Sequence, residues 1–514
     1  MQIVSERFNK AFAGSIVALD WRAKMSFTRK KNESTNWFIL GRSKLNETDL
    51  LATPEGNPAQ VWDAFQYDDI SDRLLEMSVE RSVKFPYNVQ SGIADIKLNN
   101  YDDYFSFFET TKKSPIAEYI LPKRPLRLYL GAKNVGTVPV FVGNTEKIPT
   151  YNDDKTITWS ALDFLSDIAE TKVNRTVMLR DVSTDALLKE IFKQYGMDEN
   201  QYRISRGQNI IPFVYFKNDD NVSTILKNLV QAENGLLWLD EQGIIRFENR
   251  SGNLDKTPVM TFNASNIIDI ETEKANDVVN YVSIKSDVRA VQPLQPIFSA
   301  EGKNEWVIQP RASLSIWLTL DDPAWSVRSI SVGQKTGESW IEFKKGDKID
   351  NSGIQLKGEL FADAYKLTVN NQGTSPSKIS KIELWGESAK VVDTIKYEAF
   401  DRESMERYGK KALEITDNPY FGNYRNCDLF ATDILKKYAS FSPTISMKVK
   451  GNPALQLGDV ISVNYKDKGD YLVTGIKINL SDSGYETTIT GKPHIVSKSF
   501  ILDKSILDGK DLLA

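Results

Sequence analysis

His494 and Cys427 are the only histidine and the only cysteine in a chain of 514 residues, and most side-chain chemistry has to pass through them. An internal disulfide needs two cysteines. A zinc site of Cys and His ligands cannot be built from one of each, and an HExxH metalloprotease needs two histidines. A nucleophile-histidine site would have to use His494, alone or with Cys427. Cys427 falls on an apolar stripe with Phe430, Ile434 and Tyr438, in a helix expected over Asn426 to Tyr438. There it reads as a small core hydrophobe. His494 follows Gly491-Lys-Pro at the end of the last expected strand, so the two do not read as a pair.

Carboxylates remain. Asp68-Asp69, Asp102-Asp103, Asp153-Asp154 and Asp321-Asp322 could in principle supply an acid and a base, as in a glycosidase. All four pairs lie in turn-like sequence, where Asp serves the local backbone, and none has the spacing of an EF-hand. No cofactor and no metal is expected. Asn32-Glu-Ser34 and Asn221-Val-Ser223 match glycosylation acceptors, but residues 1–30 lack the pattern of a secretory signal, so neither is given weight.

Five of the ten tryptophans, Trp306, Trp317, Trp325, Trp340 and Trp385, fall within 80 residues of one another. Indoles on a sheet can stack on sugar rings, and Trp325, Trp306 and Trp340 are the candidates for carbohydrate contact. Trp325, after Asp321-Asp-Pro-Ala, is expected to be exposed. Trp317 is expected in the core. The bland alternative is that all of them fill cores or interfaces.

The elements that would hold these residues are mostly short strands. Met77-Ser-Val-Glu-Arg-Ser-Val and Gly92-Ile-Ala-Asp-Ile-Lys-Leu-Asn alternate at period two. Arg124 to Gly131 and Val138 to Gly143 read as a hairpin, placed at a sheet edge because of its prolines. Helical periodicity appears over Ser160 to Ala169, Ser183 to Tyr195 and Asn221 to Glu233, followed by a strand, tight turn and strand over residues 236–247. Residues from about 290 to 395 read as a β-sandwich. Helices return over Glu403 to Ile415 and Asn426 to Tyr438, before a last set of strands. The balance of 65 Lys plus Arg against 69 Asp plus Glu argues against a dedicated nucleic-acid binder. No stretch has the length of a membrane span.

The order of motifs near the C-terminus resembles the tail-hub, baseplate-hub and other tail-associated proteins of bacteriophages. Ser404-Met-Glu-Arg-Tyr-Gly409 opens it, Leu455-Gln-Leu-Gly-Asp459 follows, and Ser481-Asp-Ser-Gly-Tyr-Glu-Thr-Thr-Ile-Thr-Gly491 closes it. Upstream, Gly92 to Asn99, Arg124 to Gly131, Thr156 to Asp163, Asn280-Tyr-Val-Ser-Ile and Ile382-Glu-Leu-Trp-Gly agree. The resemblance implies a homotrimeric, non-enzymatic hub at the tip of a tail tube. Two barrel-like domains per subunit would give six around a three-fold axis and so match a hexameric tube. It also implies tail-tube, tape-measure or distal tail proteins as partners, a receptor-binding protein or separate lysin nearby, and DNA crossing the lumen without being held.

The expected fold is therefore mainly β with an α+β unit. Residues 1–160 form a first barrel-like tube domain, 161–265 a small α+β domain and 266–395 the sandwich insertion with its connecting strands. Residues 396–495 form a second barrel-like domain with helices, and 496–514 a C-terminal tail that straps or frays. The expected place is a tail tip, assembled in a host cytoplasm. The alternatives are a receptor- or carbohydrate-binding tail protein acting through 290–395 and a carboxylate-based cell-wall hydrolase.

Overall fold

The computed structural model describes residues 1–13, 17–27, 67–83, 91–106, 114–252, 256–273, 278–336, 339–344, 353–441, 443–482 and 484–494. The expected C-terminal strap and the Asn32 acceptor lie outside the described residues.

A helix, Glu6–Ala13, precedes β1 (Leu19–Met25), β2 (Asp68–Asp69), β3 (Leu74–Ser82), β4 (Ile93–Asn99), β5 (Pro125–Ala132), β6 (Gly136–Thr145), β7 (Thr150–Tyr151) and β8 (Thr156–Asp163). Helices Phe164–Ala169, Thr184–Gln194 and Val222–Glu233 then alternate with β9 (Leu179–Ser183), β10 (Tyr202–Ile204), β11 (Ile210–Val214), β12 (Leu236–Leu239) and β13 (Ile245–Glu248). After β14 (Met260–Asn263) and β15 (Ile267–Glu273) come β16 (Tyr281–Val291), β17 (Gln295–Ile308), β18 (Ser313–Thr319), β19 (Ala324–Thr336), β20 (Ser339–Lys344), β21 (Ile354–Leu360), β22 (Ala364–Asn371) and β23 (Ser377–Phe400). Helix Arg402–Tyr408, β24 (Ala412–Ile415) and helix Tyr424–Tyr438 lead to β25 (Thr444–Val449), β26 (Val460–Asn464), β27 (Gly469–Ser481) and β28 (Gly484–Pro493). The chain is mainly β with an α+β portion.

The two strand-rich ends are joined in one 14-stranded sheet, whose path runs β15-β25-β28-β27-β3-β4-β8-β6-β5-β1-β2. The joint is the antiparallel pair β27–β3, in register from Gly475 opposite Ser82 to Leu480 opposite Met77. Strand alternation turns Met77, Val79, Ile476 and Ile478 inward, into one core shared with Trp159, Ile445 and Ile461. The N-terminal segment clasps both ends. Phe8 and Phe12 pack with Ala132, Val138 and Ala454, while the Gln2 amide donates to Ala454 (2.8 Å) and its side chain to the Pro139 carbonyl (2.9 Å).

A second core holds the helices, with Leu187, Phe192, Leu229, Cys427 and Phe430. A third lies in the sandwich between the sheet containing β19 and β23 and the sheet β18-β22-β21. β23, 24 residues long and about 80 Å at strand rise, runs through both. Its first half pairs with β17 and β19, and its second half with β16.

Three local expectations fail for definite reasons. Residues 156–163 continue as a strand, with Ile157, Trp159 and Ala161 buried, and the helix starts only at Phe164. Its cap is Asp163, not Ser160: the carboxylate accepts from the Leu165 amide (3.1 Å). The β5–β6 hairpin lies inside the sheet path, not at its edge. Its prolines are tolerated because Pro125 opens β5, and Pro139 sits at a register shift, on the stretch of β6 that β8 does not pair. The helix from Arg402 ends at Tyr408, where Gly409 turns to φ 72°. Asn280 holds the exit, accepting from the Lys411 amide (2.7 Å) and donating to the Gly409 carbonyl (2.8 Å), so that β24 can pair with β16.

Candidate functional site

The outward face of the shared sheet is polar across the joint. One row runs Glu486, Asn479, Ser78, Asp95 and Ser160 across β28, β27, β3, β4 and β8. Within it Ser78 donates to Asn479 (3.0 Å) and Ser160 to Asp95 (2.5 Å). The next row sets Lys477 against Glu80 (3.1 Å), and a third sets Lys97 between Glu76 (3.9 Å) and Asp154 (3.1 Å). Lys448 reaches Glu486 at 3.7 Å. Each of these lysines has a carboxylate partner, and Asp154 raises the pKa of Lys97, first through its hydrogen bond and then through its charge. Exposed ion pairs of this kind contribute only about 0–1 kcal/mol each. Their consequence is electrostatic: the face offers no unpaired lysine in these rows and has carboxylates to spare. A shallow depression of ≈ 530 Å³ on it is lined by Ser78, Asp95, Lys97, Asn479 and Glu486 among others.

Behind this face the three parts of the chain meet in a buried polar joint. Arg81 of β3 points inward and pairs with Glu241, in the turn between β12 and β13. The other Glu241 oxygen accepts from Gln456 (2.5 Å). Gln456 belongs to the Leu455-Gln-Leu-Gly-Asp459 turn singled out in the sequence. That turn is a crossroads. Leu455 and Leu457 enter the large core, Gly458 adopts φ 78°, and its carbonyl accepts from Lys256 (2.7 Å), which also pairs with Glu248 (2.7 Å). Asp459 caps the turn through the Gln456 amide (2.8 Å). On the far side of Arg81, Asp163 accepts from the Gly92 and Leu165 amides. Burial pushes its carboxyl up to about 7, against the pull of these amides and of Arg81. A Cβ on Gly92 would stand 2.9 Å from Cγ of Arg81, which explains glycine there.

The residues expected to carry chemistry are dispersed and occupied. Cys427 is buried among apolar side chains and its thiol is pushed up to about 12 by desolvation. His494 contacts the Lys256 carbonyl at 3.1 Å, and burial lowers its pKa. Asp102 forms a two-pronged pair with Arg73 (2.7 and 2.8 Å), Asp69 accepts from the Ser71 amide (3.0 Å) and Asp322 pairs with Lys390 (3.1 Å). Among the described residues no group of three or more His, Cys, Asp or Glu is placed to hold a metal, and no helix is long and apolar enough to cross a membrane.

Two tryptophans exchange their expected places. Trp317 is 50% exposed, because Ser313, Ser315, Trp317 and Thr319 share the outer face of β18 while Ile316 and Leu318 point in. The strict alternation was visible in the sequence. Trp325 is half-buried, edge-on to Phe213 (6.2 Å, 89°), where the sandwich meets the α+β portion. Trp306 packs on the sandwich core. Trp340 lies in β20 opposite Lys335, and its side chain lies outside the described residues.

No protein-family model matches the chain, and no curated sequence matches it. Among solved structures it is similar to the 43 kDa tail protein of prophage MuSo2 from Shewanella oneidensis, at 11% identity and a TM-score of 0.44 over 83% of this chain and 95% of that one. It is similar to a tail protein from Neisseria meningitidis MC58, at 10% identity and a TM-score of 0.46 over 83% and 93%. It is also similar to prophage tail protein gp18 from Listeria monocytogenes EGD-e, at 10% identity and a TM-score of 0.39 over 84% and 92%.

Proposed function

We propose that this chain is a non-enzymatic structural protein of a phage or phage-like tail, and that the polar face of its shared sheet lines the tail tube at the distal end. The observation that carries the reading is the β27–β3 joint. It fuses the two ends of the chain into one wall, and Lys97, Lys448 and Lys477 in the rows across the joint are paired with carboxylates. A face whose lysines are held by carboxylates gives phosphates little to displace counterions for, so DNA can pass without sticking. Residues 1–160 form one wall segment and 444–493, with β14 and β15, the other; the α+β portion together with the Tyr424–Tyr438 helix is the brace behind them, and the sandwich is an arm carried outward on β16 and β23. Three copies supply six segments and close a ring against a hexameric tube, next to tail-tube, tape-measure or distal tail proteins and to a receptor-binding protein or lysin. Two measurements test this. Mass in solution gives the copy number, and imaging of assembled particles gives the position. A trimer on the tail axis is the expected outcome; a monomer at the particle periphery overturns it.

A further inference from the structure

We propose that Lys437 and Asn234 join in an intramolecular amide bond, formed by the folded chain itself with Asp433 carrying the proton and ammonia leaving. Asn234 closes the helix Val222–Glu233 in the left-handed conformation, at φ 53°. Glycine would serve that turn equally well, so the cap alone does not call for a carboxamide. The residue is 2% exposed. Its Nδ2 donates to Oδ2 of Asp433, in the helix Tyr424–Tyr438, while its Oδ1 has no hydrogen-bond partner among the described residues. Lys437, one turn further along that helix, donates to the same Oδ2 (2.9 Å) and to the Arg250 carbonyl (2.9 Å). A lysine and an aspartate four apart on a helix usually make a solvated surface pair. Here the two side chains are only 20% and 16% exposed, and the carboxylate is shared with a buried amide from a distant part of the chain.

The arrangement supplies each part of the reaction. Two nitrogens bonded to one oxygen lie no more than two hydrogen-bond lengths apart, about 6 Å, and the carboxamide carbon is one bond from Nδ2. Rotation of the flexible lysine stem closes the rest. A proton moves from Nζ to Asp433 along their hydrogen bond and leaves a neutral amine, whose lone pair attacks the carboxamide carbon. The Nζ–C bond forms, the C–Nδ2 bond breaks, and the leaving nitrogen takes the protons that Nζ gives up through Asp433. Overall, ammonium and carboxamide become amide and free ammonium, with Asp433 again a carboxylate and nothing oxidised or reduced. Lys123, Asp167 and Asn144 repeat the residue types, but Lys123 is 46% exposed, so water keeps its ammonium solvated and no bond is expected there. The Lys437–Asn234 bond ties two helices between which the chain runs out into the sandwich arm and back, so that a pull on the arm does not part them.

Intact-mass measurement of the full chain, with peptide mapping, tests this. The expected chain is lighter than its sequence by one ammonia, and tryptic digestion yields one branched peptide joining Lys437 to Asn234. Lys437→Arg keeps a cation beside Asp433 and should restore the full mass. Asp433→Asn leaves both reacting groups in place and should slow bond formation about a hundredfold or more, read from the mass at successive times after synthesis, with circular dichroism checking that both variants fold. A natural chain that keeps its full mass through long incubation at neutral pH overturns the proposal. So does an ammonia loss that survives Lys437→Arg, which marks a succinimide at Asn234-Gly235, and so does a branched peptide that forms at the natural rate in Asp433→Asn. Failure here leaves the tube-wall reading standing, since none of the three residues belongs to the wall.

Discussion

Arg81 and Glu241 face each other almost without solvent, the guanidinium side chain 4% and the carboxylate side chain 1% exposed. Arg81 stands beside the joint between the two ends of the chain, and Glu241 belongs to the α+β portion behind it. A buried pair repays its desolvation only when the geometry is good, but removing one partner strands the other. The pair therefore specifies how the wall seats on its brace more than it adds stability.

Arg81→Met should lower the unfolding free energy by about 3–5 kcal/mol, read as a shift in denaturant midpoint. Arg81→Met combined with Glu241→Gln should recover most of the loss, because no charge is left unpaired and an amide oxygen still accepts from Gln456. Equal destabilisation by the single and double variants would show that apolar contacts of Arg81, not the ion pair, hold the joint.

Asp163 should make stability fall as pH rises. Its folded pKa of about 7 lies above the 3.8 of an ordinary aspartate. Between these values the native chain therefore binds more protons than the unfolded chain, and the stabilisation is complete below 3.8 and gone above about 7. The charged or polar groups facing it are Arg81 from β3 and the amides of Gly92, Leu165 and Ser166. Asp163→Asn keeps an acceptor for the helix cap and removes the titration. Thermal midpoints of the two proteins compared between about pH 4 and pH 8 should diverge with rising pH, in favour of the variant. Parallel curves would contradict this.

Much of this was legible in the sequence, for physical reasons. Helices with a clean 3.6-residue stripe and a good stop were readable, as at Leu187, Leu188, Ile191 and Phe192 before Gly196, whose φ is 82°. The mainly β character and the core position of Cys427 were readable too. Residues 160–169 were not, because a short apolar run satisfies strand and helix periods alike and only Asp163, bonded to Gly92 some 70 positions away in sequence, decides where one ends. Long-range pairings such as Arg81–Glu241 leave no local pattern. The meaning of Gln456 and Gly458 also appears only when three distant segments meet.

Cys427 should be chemically silent in the folded protein. Desolvation holds its thiol near 12, so almost none is thiolate at neutral pH, and the thiolate is the reactive form. Iodoacetamide labelling followed by mass measurement should show no adduct in native buffer and one after denaturation. Cys427→Ser should cost stability, because it places a hydroxyl in an apolar site, and Cys427→Ala should cost less. Rapid labelling of the native chain would mean that the Tyr424–Tyr438 helix opens locally.

The polar face permits a direct test of passage without adhesion. Glu80 and Glu486 hold Lys477 and Lys448 (3.1 and 3.7 Å), and the surface pairs contribute little to stability. Glu80→Lys with Glu486→Lys should therefore fold with a nearly unchanged midpoint. It would reverse two charges and free two lysines on one wall. The natural chain should bind duplex DNA weakly, with little dependence on salt. The variant should gain affinity, with a log–log salt slope steeper by about 0.9 for each phosphate newly contacted. If the face lines a tube, particles assembled with the variant should form normally and eject DNA more slowly. A variant that binds DNA in solution but leaves ejection unchanged would place this face away from the path of the DNA.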